Sequence, residues 1–302
     1  MAEKDCHRRV QEHSGHLALN VVSVAVASNS PIGVFDSGVG GLSVLRALQA
    51  ELPQERFVYL ADNGHAPYGD RDDSHVLQRS HAIADFLVQR HGIKALVVAC
   101  NTATAAAIHT LRAAYPDLPL VGIEPALKPA AVISKTGVVA VMATRATLNS
   151  EKFARLLEGL QHSATFKLQA CDGLASAIER SDTASILELC TTYTRALGRF
   201  GTSAGDIDTL VLGCTHYPFV ADVLQALAGS QTALLEAGAP VARQTRHLLE
   251  KFGIAMPSAT PSGTVPTVAT PLFYSTGNIA LLDSAVRRWL HLEVASVATS
   301  LH

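Results

Sequence analysis

The chain has 302 residues, about twice the usual domain length, so two domains or one large α/β domain are expected, with a sizeable core. Hydrophobic residues make up 48% and charged residues 17%, which excludes a disordered chain, a coiled coil or a collagen-like repeat. Lys plus Arg total 24 against 26 Asp plus Glu, without a basic run to track a phosphate backbone, so no nucleic-acid partner is expected.

In chain order, residues 1–30 read as an extension that precedes the folded chain. Met1 to His16 mixes Lys4, Arg8 and Arg9 with Glu3, Asp5 and Glu12 and shows no helical or strand period. Leu17 to Ala27 is apolar and ends Ala25-Val26-Ala27, which gives a secretory signal as the alternative. Acidic residues dilute its basic part, and Asn20 and Ser23 interrupt a run too short to span a bilayer. No membrane partner is expected.

From Ile32 onward, short apolar runs alternate with segments of helical period, the pattern of βα units around parallel sheets. Predicted strands are Ile32–Phe35, Phe57–Ala61, Ala95–Ala99, Leu120–Ile123, Gly137–Met142, Thr165–Leu168, Thr209–Leu212, Ala233–Leu235 and Pro271–Tyr274. Ala255 to Thr267 reads as a Pro/Ser/Thr-rich connection. A weak duplication links Val97–Thr102 with Val211–His216, each an apolar strand ending in Cys and two small or polar residues. The two thiols are 114 residues apart. Ile32–Ser37 and Val138–Thr144 form a second matched pair. The expectation is two similar α/β lobes, residues 31–125 with 236–302 and residues 126–235, with a site where the strands' carboxyl ends face each other.

Every chemical motif falls at such an end. Asp36-Ser37-Gly38-Val39-Gly40-Gly41 precedes a helix over Leu42 to Ala50, where bare N–H groups suit an anion and Asp36 suits a cap. Its spacing matches neither a dinucleotide fingerprint nor a phosphate-binding loop. Cys100 stands between a strand and the helix opened by Asn101-Thr102, a setting that favours thiolate. Cys214-Thr215-His216-Tyr217-Pro218 repeats it, with an imidazole two residues from the sulfur. Asp62 to Gly69 is a turn-rich loop whose Tyr68 can cover a ligand. Cys171 and Cys190 read as core residues on helices. The five cysteines, Cys6 included, have no CxxC spacing and suggest reduced cytosolic thiols, with neither a disulfide framework nor a zinc site. Glu179 is ambiguous on its own, since a solvated helix position would explain it.

Two matched thiols on one pocket suit a symmetrical proton transfer, in which one removes a proton from carbon and the other returns one to the opposite face. A thiol hydrolase needs one nucleophile with a base and an orienter, and leaves the second Cys unexplained. A two-lobed binding protein is a third reading.

The segments GVFDSGVGGLSVLRAL, YLADNGHAPYG, VVACNTATA, VGIEPA and VLGCTHYPF, in this order, resemble the cofactor-independent aspartate/glutamate racemase family over nearly all of Ile32 to Leu290. The resemblance implies interconversion of L- and D-glutamate, D-glutamate for peptidoglycan, a cytoplasmic enzyme, and no pyridoxal phosphate, metal or nucleotide cofactor. Aspartate or a hydantoin is the near alternative substrate. Carried over by motif, Cys100 and Cys214 are the paired acid/base residues, acting on the D and L forms respectively. Asp36 and His216 assist them, and Glu179 matches a family Glu in the span from Cys171. Ser37, Tyr68, Gly69, Asn101, Thr102 and Thr215 join Asp36 and His216 in holding substrate. This chain departs from the family pattern at Ala143-Thr144, at Glu236-Ala237-Gly238, and after Cys171, where a Pro is usual. A homodimer is compatible with the apolar faces, and nothing in the sequence specifies one.

Overall fold

The computed structural model describes residues 28–257 and 269–301. The expected N-terminal extension up to residue 27 and most of the Pro/Ser/Thr-rich connection lie outside the described residues. In chain order the first half holds β1 (Ile32–Asp36), α1 (Leu42–Glu51), β2 (Phe57–Ala61), α2 (Asp73–His91), β3 (Ala95–Val98), α3 (Asn101–Ala114) and β4 (Leu120–Gly122). Next come α4 (Leu127–Ile133), β5 (Val138–Ala143), α5 (Arg145–Asn149), α6 (Glu151–Glu158), β6 (Thr165–Ala170), α7 (Leu174–Glu179), α8 (Thr183–Leu197), β7 (Thr209–Gly213), α9 (Ala221–Ala228) and β8 (Ala233–Leu235). The chain closes with α10 (Gly238–Lys251), β9 (Leu272–Ser275), α11 (Ile279–Leu290) and β10 (Val297–Ala298).

Two sheets result, of order β10-β9-β2-β1-β3-β4 and β6-β5-β7-β8. All their strand pairings are parallel. The second order repeats the last four strands of the first, β2-β1-β3-β4, so β1 corresponds to β5 and β3 to β7. The duplication seen in the sequence is thus a repeat of topology. β1, β2 and β7 are buried at every position, which is why they read as unbroken apolar runs. β6 is an edge strand with no fully buried residue. The two-residue β10 is exposed and carries no apolar run long enough to predict.

In each sheet the chain leaves its first strand toward one side and later returns on the other. A crevice therefore opens between the carboxyl ends of β1 and β3, and another between those of β5 and β7. Local caps set the helix ends. Asp72 accepts from His75 N at 2.7 Å to start α2, and Gly92, at φ 55°, stops it in the left-handed region that suits glycine. Among the described residues no helix is long and apolar enough to cross a membrane.

One charge pair is sealed inside the first half. Lys94 Nζ lies 2.5 Å from Glu55 Oε2, and both side chains are fully buried. The same ammonium donates to Ser28 O at 2.5 Å and Ile254 O at 2.9 Å, while Glu55 Oε1 accepts from Met256 N at 2.8 Å. Removing one partner leaves an uncompensated buried charge. Lys94→Ala is expected to lower unfolding free energy by about 3–5 kcal/mol, and Lys94→Met with Glu55→Gln to recover part of it, both read by urea denaturation.

Candidate active site

The crevices of the two sheets face one narrow, partly open cavity with a free volume of about 40 Å³. Cys100 and Cys214 both line it. A larger groove of about 700 Å³ beside β4 and α10 contains neither thiol. Ser37, Tyr68, Gly69, Asn101 and Thr102 reach the cavity from the first half, and Thr215 and His216 from the second. Asp36 and Glu179 stand behind this lining and touch it through their neighbours.

Cys100 is the N-cap of α3, where its sulfur accepts from Ala103 N at 3.5 Å and its thiol donates to Ser37 Oγ at 3.8 Å. The helix start foreseen from sequence is present, and its Ala103 N–H does favour the thiolate, but that pull is outweighed. Burial, with the Asp36 carboxylate nearby, pushes the Cys100 thiol well above its ordinary range. Asp36 is fully buried; its Oδ2 accepts from Gly41 N at 2.6 Å and Thr215 Oγ1 at 3.4 Å, and Oδ1 from Ser37 Oγ at 3.5 Å. Burial raises its carboxyl, against the pull of the His216 charge. Gly41 holds the cap position of α1, so Asp36 anchors that helix start from five residues upstream.

Cys214 follows β7 and leads into a four-residue 3₁₀ turn, Tyr217–Val220, rather than directly into an α-helix. Its sulfur is 3.7 Å from His216 Nδ1, and His216 Nε2 is 2.8 Å from Glu179 Oε1. Sulfur, imidazole and carboxylate form a relay. Burial alone would lower the imidazole's pKa, but Cys214 and Glu179 outweigh it and hold the pKa well above its usual value. Burial likewise works to raise Glu179, and the His216 contact brings it below the ordinary carboxylate range. The solvated-helix alternative for Glu179 is thereby replaced by a part-buried ion pair.

Two glycines of the Asp36–Gly41 loop, Gly38 and Gly40, are explained by that relay, and Gly41 packs on Asp36 and Tyr59. A Cβ on Gly38 would lie 1.9 Å from Glu179 Oε1, and one on Gly40 would lie 2.4 Å from His216 Nδ1. Val39 N donates to Glu179 Oε1 at 2.9 Å. The anions that the bare backbone receives are the protein's own carboxylates, Glu179 and Asp36.

Tyr68 donates its hydroxyl to Asp62 Oδ2 at 2.6 Å, and Asp62 also accepts from Arg79 and Thr276. That hydroxyl is committed, so Tyr68 offers the cavity its ring and backbone. Gly69 faces Thr144, whose Cβ would be 3.3 Å from an added Cβ. Asn101 is buried, and its Oδ1 has no partner. Thr102 Oγ1 meets Thr144 Oγ1 at 3.3 Å across the two halves.

Sequence reasoning missed Thr144, Arg145 and Asp172 at the cavity. A signal for Thr144 existed, since it follows β5 as Ser37 follows β1. Asp172, where the family pattern has Pro, is ion-paired to Arg145. Cys171 also needs correction. It follows β6 directly rather than lying on a helix, it lines the cavity, and burial pushes its thiol up. Cys190 lies in α8 as expected, buried, with its thiol pushed up to about 11. Glu236 is exposed and absent from this lining. Among the described residues no group of three or more His, Cys, Asp or Glu is arranged to hold a metal ion.

Paired parallel α/β sheets with a thiol at each facing crevice define a class of two-lobed enzyme, and comparison with known proteins places the chain within it. Residues 32–245 match the family described as Asp/Glu/Hydantoin racemase. The glutamate racemase of Ralstonia pickettii is 46% identical over 261 residues, covering 86% of this chain and 87% of that protein. The crystal structure of a glutamate racemase isoform from Bacillus anthracis superposes with a TM-score of 0.77 at 31% identity, covering 91% of this chain and 98% of the other. That of the Escherichia coli glutamate racemase, in complex with L-glutamate and the activator UDP-MurNAc-Ala, gives 0.73 at 28% identity over 86% and 95%. The chain belongs to the Asp/Glu/Hydantoin racemase family, a family of isomerases.

The His216–Glu179 pair sets a pH window. Glu179, depressed in the fold, contributes stability fully above its unfolded value of 4.5 and loses it as pH falls through the lower folded value. His216, raised in the fold, contributes fully below its unfolded value of 6.5 and loses that as pH rises through the higher folded value. Glu179→Gln is expected to cost about 1.5–3 kcal/mol between these two values and less on either side, as measured by denaturation across pH.

Proposed function

We propose that the chain interconverts L- and D-glutamate, with Cys100 and Cys214 exchanging protons with the α-carbon from opposite faces. The observation that carries the proposal is the meeting of two thiols, from equivalent places in two repeated sheets, in one small, partly open cavity. Starting from L-glutamate, the Cys214 thiolate takes the α-proton and the Cys100 thiol delivers one to the other face. The reverse reaction exchanges the roles. The raised thiol of Cys100 suits the donor, and the His216 imidazolium, held by Glu179, suits a sulfur that must shed its proton. Asp36 holds Ser37 and Thr215 and, as a carboxyl raised by burial, assists on the Cys100 side.

The unpartnered Asn101 Oδ1, with Ser37, Thr102, Thr215 and the backbone at Tyr68 and Gly69, would hold the ammonium and carboxylates. Donors fixed where charge develops stabilise the carbanion-like transition state. At roughly 10–15 Å³ per water, the cavity has room for a few waters and not for glutamate, so the lobes must part to admit substrate and close again for reaction. The relatives' names favour glutamate over aspartate or a hydantoin. We place the D-glutamate formed in peptidoglycan synthesis, cell-wall biogenesis and cell shape, in the cytoplasm.

The Cys214–His216–Glu179 relay also has the form of a hydrolase nucleophile, base and orienter. That reading gives Cys100 no task. The purified protein, incubated with L-glutamate in deuterated water, is expected to racemise it with solvent deuterium at the α-carbon. Cys100→Ala and Cys214→Ala are each expected to lose racemisation by a factor of about 10²–10⁴. Normal turnover by either variant overturns the two-base scheme, and a trapped acyl-enzyme would favour the hydrolase. Asn101→Ala is expected to raise KM about tenfold or more, through loss of a hydrogen bond to a charged group, in steady-state assays of both enantiomers.

A further inference from the structure

The Cys214–His216–Glu179 relay rides on two short elements of the second half, the 3₁₀ turn Tyr217–Val220 and the six-residue α7. Neither is long enough to hold its geometry unaided. Both are gripped by one helix that packs on the first half, α11, whose Leu282, Ala285 and Val286 belong to the core around α1 and β2. Trp289 stacks on Phe219, three residues after His216, with ring centroids 3.7 Å apart and planes within 5°. The next residue back, Arg288, donates from Nη1 to Ser181 Oγ at 2.8 Å. Ser181 is two residues after Glu179 and sits at φ 55°, a conformation a non-glycine residue keeps only when its surroundings hold it. Near the other end of α11, Leu281 borders a cleft shared with Glu179 and His216.

We propose that α11 is a brace from the opposite lobe, and that Trp289 and Arg288 are positioning residues that hold His216 and Glu179 in line with Cys214. Closure of the lobes then does more than exclude water, since it seats the brace, whose stack on Phe219 and hydrogen bond to Ser181 both fall on the Cys214 arm. The inference rests on the two-base reading of the site.

The test uses Trp289→Ala, Trp289→Phe and Arg288→Ala in the full chain. Trp289→Ala and Arg288→Ala are expected to lower kcat by roughly ten- to a hundredfold with KM little changed, and Trp289→Phe to recover most of the loss by restoring a stack. Because racemisation has an equilibrium constant of one, kcat/KM must fall equally in both directions, so the distinguishing readout is isotopic. Starting from D-glutamate in deuterated water, deuterium incorporated without inversion should rise relative to L-glutamate formed, as return to Cys100 competes with the misaligned Cys214 arm. Independently of turnover, iodoacetamide should alkylate Cys214 severalfold more slowly in the variants and Cys100 at its wild-type rate, as read by peptide mass mapping. Exchange and inversion falling in step, equal changes at both thiols, or no change at all would overturn the brace. If the wild-type protein fails to racemise glutamate, the two-base reading falls and the alkylation pattern still decides the brace. If Trp289→Ala does not fold, Arg288→Ala, which removes only an exposed hydrogen bond, carries both readouts.

Discussion

The structure of the site depends on one carboxylate oxygen that serves both halves of the molecule. Glu179 Oε1 takes a hydrogen bond from the backbone of Val39 in the first half and another from His216 in the second. For it to do so, the loop after β1 must come within contact of the turn after β7, and this is why Gly38 and Gly40 tolerate no side chain. The same approach brings Thr215 to Asp36 and lets Ser43 donate to Thr215 O at 2.9 Å. Buried charge, glycine and inter-lobe contact form a single arrangement, in which each part removes a cost the others would impose.

The two halves repeat a topology without repeating its electrostatics. After β3 the thiol caps a long helix and faces an acid. After β7 the thiol enters a tight turn and faces an imidazole. A reaction that runs equally well in either direction does not require identical arms, because its equilibrium constant is fixed by the substrate and each arm needs only to gain and lose one proton per turnover. The difference is one of setting: burial and Asp36 raise the Cys100 thiol, while on the other arm Cys214 and Glu179 raise the His216 imidazole.

Much of this was legible in the sequence, for physical reasons. Fully buried parallel strands such as β1, β2 and β7 read as apolar runs, and among the described residues β1 to β9 all coincide with short apolar or β-branched segments; β10, two exposed residues, offered no such run. Cys100 and Cys214 could be paired because a strand end followed by small polar residues is a local pattern. The direction of the Cys100 shift was not local. It depends on burial and on Asp36, sixty-four residues upstream in sequence and adjacent only in the fold. Glu179 shows the same limit, since its partners Val39 and His216 lie on other elements. Cys171 was misplaced because the predicted strand ended at Leu168, whereas β6 runs on through Gln169 to Ala170 and leaves Cys171 at its carboxyl end rather than on the next helix.

The order in which the sheets are assembled bears on how the chain is made. Strands β9 and β10 complete the first sheet, yet they leave the ribosome after the whole second sheet. At about 5–20 residues per second, β2 waits roughly 10–40 s for the strand that will cover its outer edge. Over that interval a nascent chain presents a buried-type strand with unpaired amides, Phe57 and Tyr59 among its side chains, to every other unfinished chain nearby. Truncation of the last thirty residues would make that exposure permanent, so the C-terminal segment acts as the chain's protection against self-association as well as its final piece of sheet.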